Sequence, residues 1–296
     1  NVEKDIEVKV VPSAKEIRTV SISHDKGYIF WTKDHTDLSD IKFTEKLGNN
    51  TSREITGRDC QWSFDNSDVA QYSNDKIQIY RTGKTTATVS RNGVSTNVLL
   101  FARMSTEENY VLYEEDFNGL SDGAMPNGWK IKKGTSASKV GVKNGAFEID
   151  ARESKDNTAG VLLPEYLSNF GNYSIEADVT NLASNNGANW NSIMYRIQNN
   201  ELPYYQMTVR KDATANNGVE FAEFNKDGAW NVKKTTFFTE SINESKMYHY
   251  TVKAYSNRIQ QWINGMPLME SDKAGSYLKG RVGFQAKGSK MRIDNI

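Results

Sequence analysis

Short alternating segments set between turn signals are the feature of this chain that most constrains its fold. From Ile17 onward, apolar and polar residues alternate over stretches that end at glycine, asparagine, aspartate or proline. Successive side chains of a strand point to opposite faces of a sheet, so this alternation predicts half-buried strands. From Tyr110 to Ile296 no segment keeps the spacing of an amphipathic helix. The sequence therefore predicts an all-β protein.

Composition excludes several classes of function. Lysine plus arginine and aspartate plus glutamate each number 37, so the neutral chain lacks the positive charge typical of a nucleic-acid-binding protein. No apolar run reaches the ~20 residues that would insert into a membrane. The single cysteine, Cys60, excludes an internal disulfide and a cysteine-based zinc site.

The same composition predicts a secreted or cell-surface bacterial protein. Asn, Ser, Thr, Gly, Tyr and Trp are plentiful and disulfides are absent, which favours a Gram-positive exoprotein over an animal ectodomain. The chain begins with Asn1 and carries no signal peptide, so we expect a piece of a longer parent chain with further domains.

Two domains are expected from the length and from one break in the pattern. An alternating strand at residues 2–12 is followed by short predicted strands up to residue 102, with Asn92-Gly93 as a two-residue hairpin signal. The polar segment Met104–Asn109 interrupts the pattern, and we place the boundary there. The predicted domains are residues 1–106 and 107–296.

The first domain resembles the group 2 bacterial Ig-like domains over roughly residues 14–103. The resemblance depends on Trp62, the corner at residues 66–70 (NSDVA) and Gly83 before the strand TATVS. It implies an Ig-like β-sandwich that serves as a spacer. Trp62 is predicted to lie in the core of this sandwich.

The second domain resembles the laminin-G-like, concanavalin-A-like jelly rolls of bacterial carbohydrate-active proteins. The resemblance spans nearly all of residues 110–296. It depends on eight short segments: EDF at 115–117, GW at 128–129, NYSIEA at 172–177, YR at 195–196, YY at 204–205, NG at 264–265, GRVGF at 280–284 and DNI at 294–296. It implies a β-jelly roll similar to the family 66 carbohydrate-binding modules and to a domain shared with keto-disaccharide hydrolases. A polysaccharide or oligosaccharide is the partner that this resemblance implies.

A candidate sugar site follows from alternation in three consecutive strands, SIMYRIQ, YYQMTVR and VEFAEF. If Ile193, Tyr195 and Ile197 face the core, the polar side chains of the three strands share the other face. Sugar hydroxyls need charged or amide partners, and sugar C–H faces pack on aromatic rings. The predicted ligand-binding residues are Arg196, Tyr204, Gln206, Arg210, Glu220 and Trp230. The alternative for the charged members is a surface ion pair without a role.

A structural calcium ion is a second expectation. Glu115, Asp116 and Asp294 lie on the first and last strands, which are neighbours in jelly rolls of this kind, and carboxylate oxygens suit Ca²⁺. Alternatively, these acids only accept hydrogen bonds from backbone N–H groups at strand ends.

The sequence argues against an enzyme. His24, His35 and His249 are too scattered for a triad or a histidine metal site, and Glu220 and Glu223 are predicted on opposite faces. We therefore predict a non-catalytic carbohydrate-binding module behind an Ig-like spacer. A sandwich hydrolase or lyase acting on a disaccharide or polysaccharide is one alternative. A surface adhesin module is another.

Overall fold

The computed structural model describes residues 17–296, and the strand expected at residues 2–12 lies outside them. The chain forms two compact units, one ending at Tyr113 and the other spanning Glu114–Ile296. The division falls after the predicted 106/107 boundary because Tyr110 belongs to the first unit. Its ring lies 4.6 Å from the ring of Phe30, and the Arg103 guanidinium lies 4.4 Å above it.

The N-terminal unit consists of nine strands among its described residues. They are β1 (Thr19–Ser23), β2 (Tyr28–Thr32), β3 (Lys42–Leu47), β4 (Ser52–Thr56), β5 (Gln61–Phe64), β6 (Ala70–Ser73), β7 (Lys76–Ile79), β8 (Gly83–Arg91) and β9 (Val94–Arg103). The sheet orders are β1-β3-β4, β2-β9-β8-β5 and β6-β7. Two 3₁₀ helices, Leu38–Asp40 and Gly57–Asp59, connect them.

Two sequence predictions for the N-terminal unit are confirmed. Asn92 and Gly93 both have positive φ, 51° and 79°, and join β8 to β9 as the hairpin turn. Trp62 is buried in the core, and its indole N–H donates to the Gly57 carbonyl at 2.9 Å. The segments SREIT and AQYS form strands β4 and β6 although they are too polar to show the alternation of a half-buried strand.

The C-terminal unit consists of fourteen described strands. They are β10 (Lys130–Ile131), β11 (Val140–Lys143), β12 (Ala146–Asp150), β13 (Thr158–Leu162), β14 (Tyr173–Ser184), β15 (Trp190–Ile197), β16 (Tyr204–Arg210), β17 (Val219–Phe224), β18 (Trp230–Thr236), β19 (Met247–Tyr255), β20 (Arg258–Ile263), β21 (Met266–Ser271), β22 (Arg281–Lys287) and β23 (Ser289–Asp294). The 3₁₀ helices of this unit are Ala137–Lys139, Lys155–Asn157 and Glu165–Asn169.

These strands form two seven-stranded antiparallel sheets. Sheet I has the order β10-β13-β22-β15-β16-β17-β18, and sheet II has the order β11-β12-β23-β14-β19-β20-β21. Each sheet combines runs of consecutive strands, such as β15-β16-β17-β18, with neighbours that are distant in sequence, such as β13-β22 and β12-β23. Jelly rolls have such long crossovers, and the prediction of an all-β fold ending in a jelly roll is confirmed. None of the described helices has the length and apolar character needed to cross a membrane.

The core of the C-terminal unit lies between sheets I and II. The ring of Trp129 lies 6.5 Å from that of Phe284 on sheet I and 4.7 Å from that of Phe147 on sheet II. Trp129 is therefore a core residue. Since Ile193 pairs with Phe284 across β15 and β22, its side chain shares this core face. The opposite side of sheet I, which we call the outer face, carries the candidate site.

Candidate functional site

The outer face of sheet I is defined by the register of three neighbouring strands. Gln206 on β16 pairs with Met194 on β15 and with Ala222 on β17. Two residues along, Thr208 pairs with Ser192 and with Glu220. Directly opposed residues have Cβ atoms about 5 Å apart and project to one side, so these side chains form one patch. The alternation predicted for β16 and β17 is confirmed.

Arg196 does not belong to this patch, and its prediction as a ligand-binding residue is wrong. The pairing of β15 with β22 shifts between Met194 and Ile197, and Arg196 has a positive φ of 52°. This β-bulge inserts one residue, so Ile197 joins the outer face and Arg196 turns inward. The prediction that Ile197 faces the core is wrong for the same reason.

The side chain of Arg196 holds loops of the jelly roll together. It is fully buried, and its guanidinium donates to the carbonyls of Ala274, Tyr277 and Gly171 at 2.9, 3.0 and 2.9 Å. These carbonyls belong to the segments before β14 and between β21 and β22. Arg196 is thus a structural residue with no surface left for a ligand.

Three polar side chains of the outer face are buried without full hydrogen bonding. Gln206 and Thr208 have 0% exposure and Glu220 has 2%. Both amide atoms of Gln206, the hydroxyl of Thr208 and one carboxylate oxygen of Glu220 lack a partner among the described residues. Native proteins rarely leave buried polar atoms unpaired, because each costs about 1–3 kcal/mol. We call Gln206, Thr208 and Glu220 the unpaired cluster.

Arg210 positions one member of this cluster. Its guanidinium donates to Glu220 Oε1 at 2.8 Å and to the carbonyls of Ala188 and Asn217 at 2.8 and 3.0 Å. The Asn217 amide donates to the same oxygen at 3.3 Å. The carboxylate is therefore fixed through Oε1, while Oε2 points into the buried patch without a partner.

Tyr204, Gln285 and Lys132 border the cluster on its other side. The Tyr204 hydroxyl donates to Gln285 Oε1 at 3.4 Å, and burial raises the pKa of Tyr204. The Lys132 ammonium lies 5.6 Å from the Tyr204 ring centroid. Burial lowers the pKa of Lys132, with an opposing effect from Glu201. The ammonium makes no ion pair with a described carboxylate.

A row of aromatic rings runs across the same face. Tyr204 stacks on Phe224 at 5.5 Å between centroids, and Phe224 meets Trp230 at 6.4 Å. Trp230 in turn lies 5.5 Å from Trp190. Trp190 is on β15 and Trp230 is on β18, with β16 and β17 between them. The two indoles therefore meet above the strands that carry the unpaired cluster.

Of the six predicted ligand-binding residues, the structure brings five to this face. Tyr204, Gln206, Arg210 and Glu220 lie on adjacent strands, and Trp230 lies on the neighbouring edge strand. The set of six predicted ligand-binding residues did not include Thr208, Lys132, Gln285 or Trp190. Strand parity already placed Thr208 beside Gln206.

The described strands of sheet I place one carboxylate on the outer face. Glu220 and Glu223 project to opposite sides of β17, as predicted, because they pair with Thr208 and Tyr205 respectively. Glu223 instead accepts from the Tyr277 hydroxyl at 2.7 Å and pairs with Lys233 at 2.8 Å. Among the described strands of sheet I, Glu220 is the one acid on the outer face, so a two-carboxylate glycosidase arrangement does not form there.

The three acids predicted to hold calcium each accept a backbone hydrogen bond. Glu115 accepts from Phe117 N at 2.9 Å, Asp116 from Asn118 N at 2.9 Å and Asp294 from Asn295 N at 2.8 Å. The first and last segments are neighbours, since Glu115 and Ile296 exchange backbone hydrogen bonds. Within residues 17–296 no three histidine, cysteine or acidic side chains form a group that could hold a metal. Calcium binding stays a prediction.

Comparison with known structures finds similarity to carbohydrate-active proteins, among them three with TM-scores below 0.5. A CBM66 carbohydrate-binding module from Bacillus subtilis is 17% identical, with a TM-score of 0.46 over 57% of this chain and 92% of that one. A Bacillus licheniformis β-glucanase is 12% identical, with a TM-score of 0.46 over 62% and 94%. A Bacteroides ovatus GH16 protein of a mixed-linkage glucan locus is 16% identical, with a TM-score of 0.47 over 62% and 98%.

A family model gives the more direct assignment. No curated protein matches the sequence. The model of the 3-keto-alpha-glucoside-1,2-lyase-like domain, however, matches residues 116–296, which is more than half of the chain and nearly all of the C-terminal unit. On this match, the chain belongs to the 3-keto-alpha-glucoside-1,2-lyase-like domain family.

Proposed function

We propose that the outer face of sheet I binds carbohydrate. The observation that carries the proposal is the unpaired cluster, in which four buried polar atoms of Gln206, Thr208 and Glu220 lack partners. A sugar hydroxyl both donates and accepts, so neighbouring hydroxyls can satisfy an amide, a hydroxyl and a carboxylate oxygen together. The aromatic row beside the cluster supplies the flat apolar surface on which sugar C–H groups pack.

In this proposal the C-terminal unit is a non-catalytic module of a larger secreted or cell-surface bacterial protein. The N-terminal unit acts as an Ig-like spacer, and its buried Trp62 is a core residue with no part in binding. The partner is an oligosaccharide or polysaccharide. Rigid strands carry every polar group of the cluster, so little conformational entropy is lost when a sugar docks.

A glycan array followed by calorimetric titration of the best ligand tests this proposal. Gln206→Ala should weaken binding at least tenfold, because two hydrogen bonds to the ligand are lost, each worth about 1 kcal/mol. Trp62→Phe, in the other unit, is the control and should leave the affinity unchanged. Sugar binding that survives Gln206→Ala would place the site elsewhere.

A lyase acting on a 3-keto-α-glucoside is a second candidate, which the family match favours. A 1,2-elimination moves the C2 proton to a base and breaks the C1–O bond, and the departing oxygen takes up a proton. The ketone at C3 makes the C2 proton acidic. Glu220 is the available base, because Arg210 fixes Oε1 while Oε2 is free of partners.

Incubation with 3-keto-trehalose separates the two candidates. A lyase releases glucose and forms an unsaturated ketone that absorbs in the ultraviolet, whereas a binding module leaves the sugar intact. If elimination occurs, Glu220→Gln should abolish it while retaining ligand binding. No turnover by the wild-type chain would leave the binding module as the function.

A further inference from the structure

The two indoles that meet over the unpaired cluster differ in how firmly they are held. Trp190 is 6% exposed and lies on β15, which is flanked in sheet I by β22 and β16. Its carbonyl accepts from the Ser289 hydroxyl at 2.8 Å. A residue on a central strand with this support has little freedom to move.

Trp230, by contrast, lies on an edge strand. β18 is the edge of sheet I and pairs there with β17 alone. Its register shifts between Phe221 and Ala222, most of its residues are exposed or half-buried, and the turn before it contains Gly228 with a positive φ of 77°. Edge strands with irregular pairing open at lower free energy than the strands of the sheet centre.

The indole pair and the unpaired cluster occupy the same side of sheet I. Residues 206 and 222 oppose each other on β16 and β17, and position 222 is an alanine. The methyl group of this alanine adds little bulk beside Gln206. The cluster is thus buried on the side of the sheet where the indoles meet, and its polar atoms need a partner there.

We propose that Trp190 is the stacking platform of the site and that Trp230 is a movable cover lying on it. This inference depends on the proposed function, since it assigns roles within the same sugar site. A sugar ring displaces the Trp230 indole, takes its place against Trp190 and supplies the hydroxyls that Gln206, Thr208 and Glu220 lack. The ligand must therefore present an apolar C–H face on one side and hydroxyls on the other.

The proposal predicts opposite effects from two neighbouring tryptophans. Trp190→Ala should weaken binding about tenfold, the size expected for one lost aromatic contact. Trp230→Ala should strengthen binding several-fold, because the Trp230 indole no longer occupies the surface of Trp190 on which the sugar docks. Trp190→Phe keeps a smaller ring and should retain part of the affinity, which guards against a folding defect in Trp190→Ala.

Titration calorimetry with sucrose, trehalose, 3-keto-trehalose, levan and laminarin measures these effects. Trp262→Ala on sheet II is the matched control and should bind as the wild type does. A loss of affinity in Trp230→Ala comparable to that in Trp190→Ala would overturn the inference, since Trp230 would then be a platform itself. Unchanged affinity in both variants would also overturn it. Absence of binding to all five sugars by the wild type would instead refute the proposed function, and the inference with it.

Discussion

Replacing Gln206 by methionine tests the reasoning behind the site through stability alone. Methionine keeps the unbranched shape of glutamine but has no strong donor or acceptor. Because neither amide atom of Gln206 has a partner and the side chain has 0% exposure, the native residue is expected to cost about 1–3 kcal/mol. Gln206→Met should therefore raise the free energy of unfolding by about that amount.

Thermal unfolding measures this gain directly. For a domain of this size, 1 kcal/mol shifts the melting temperature by about 2–4 °C, so an increase of at least about 2 °C is expected in the transition of the C-terminal unit. The same variant should lose sugar binding, which is the usual conflict between stability and function.

Gln285→Met is the matched control on the same face. Gln285 accepts a hydrogen bond from the Tyr204 hydroxyl, so its replacement leaves a buried hydroxyl unpaired and should lower stability by about 1 kcal/mol. Destabilisation by Gln206→Met would refute the reasoning, because it would show that the amide has hydrogen-bond partners in the free protein.

Three further results are expected. Arg196→Ala should lower the free energy of unfolding of the C-terminal unit by more than about 3 kcal/mol in urea titrations, because three loop carbonyls lose their donor. The hydrogen bonds from the Arg152 side chain hold the pKa of Asp150 below its usual range. The stability that this pair contributes is therefore present at pH values above the usual pKa of aspartate and is lost as the pH falls through the pKa of Asp150 in the folded protein. Arg152→Ala should therefore lower the urea midpoint at about pH 6, and this effect should shrink as the pH is lowered below the usual range of the Asp150 pKa. EDTA should leave the melting temperature unchanged if the three predicted calcium ligands bond only to backbone N–H groups, whereas a fall would establish a bound cation.

Much of the fold could be predicted from the sequence, because the alternation of apolar and polar residues indicates which side of a strand faces the core. On β16 and β17 the pleat is regular, and the expected faces of Tyr204, Gln206 and Glu220 are those observed. The hairpin at Asn92-Gly93 was equally readable, since few residue pairs adopt two consecutive positive φ angles.

The site was less predictable, for two physical reasons. A bulge adds one residue without changing composition, so the alternation of SIMYRIQ gives no sign that Arg196 turns inward. Alternation also reveals which face a side chain occupies but not what lies above it. The contact between Trp190 and Trp230 joins strands separated by two others, and no local pattern reports such a contact.

The bulge at Arg196 places a structural requirement of the fold away from the residues that are proposed to bind sugar. Gly280 lies against it so closely that an added Cβ would approach the backbone carbon of Arg196 to 2.4 Å, so any larger residue there would push β22 away. This close backbone packing of residues 196 and 280 thus lies outside the unpaired cluster. Directed evolution toward a new sugar can vary residues 206 and 208, whose side chains have no hydrogen-bond partners to lose, in libraries that hold 196 and 280 constant.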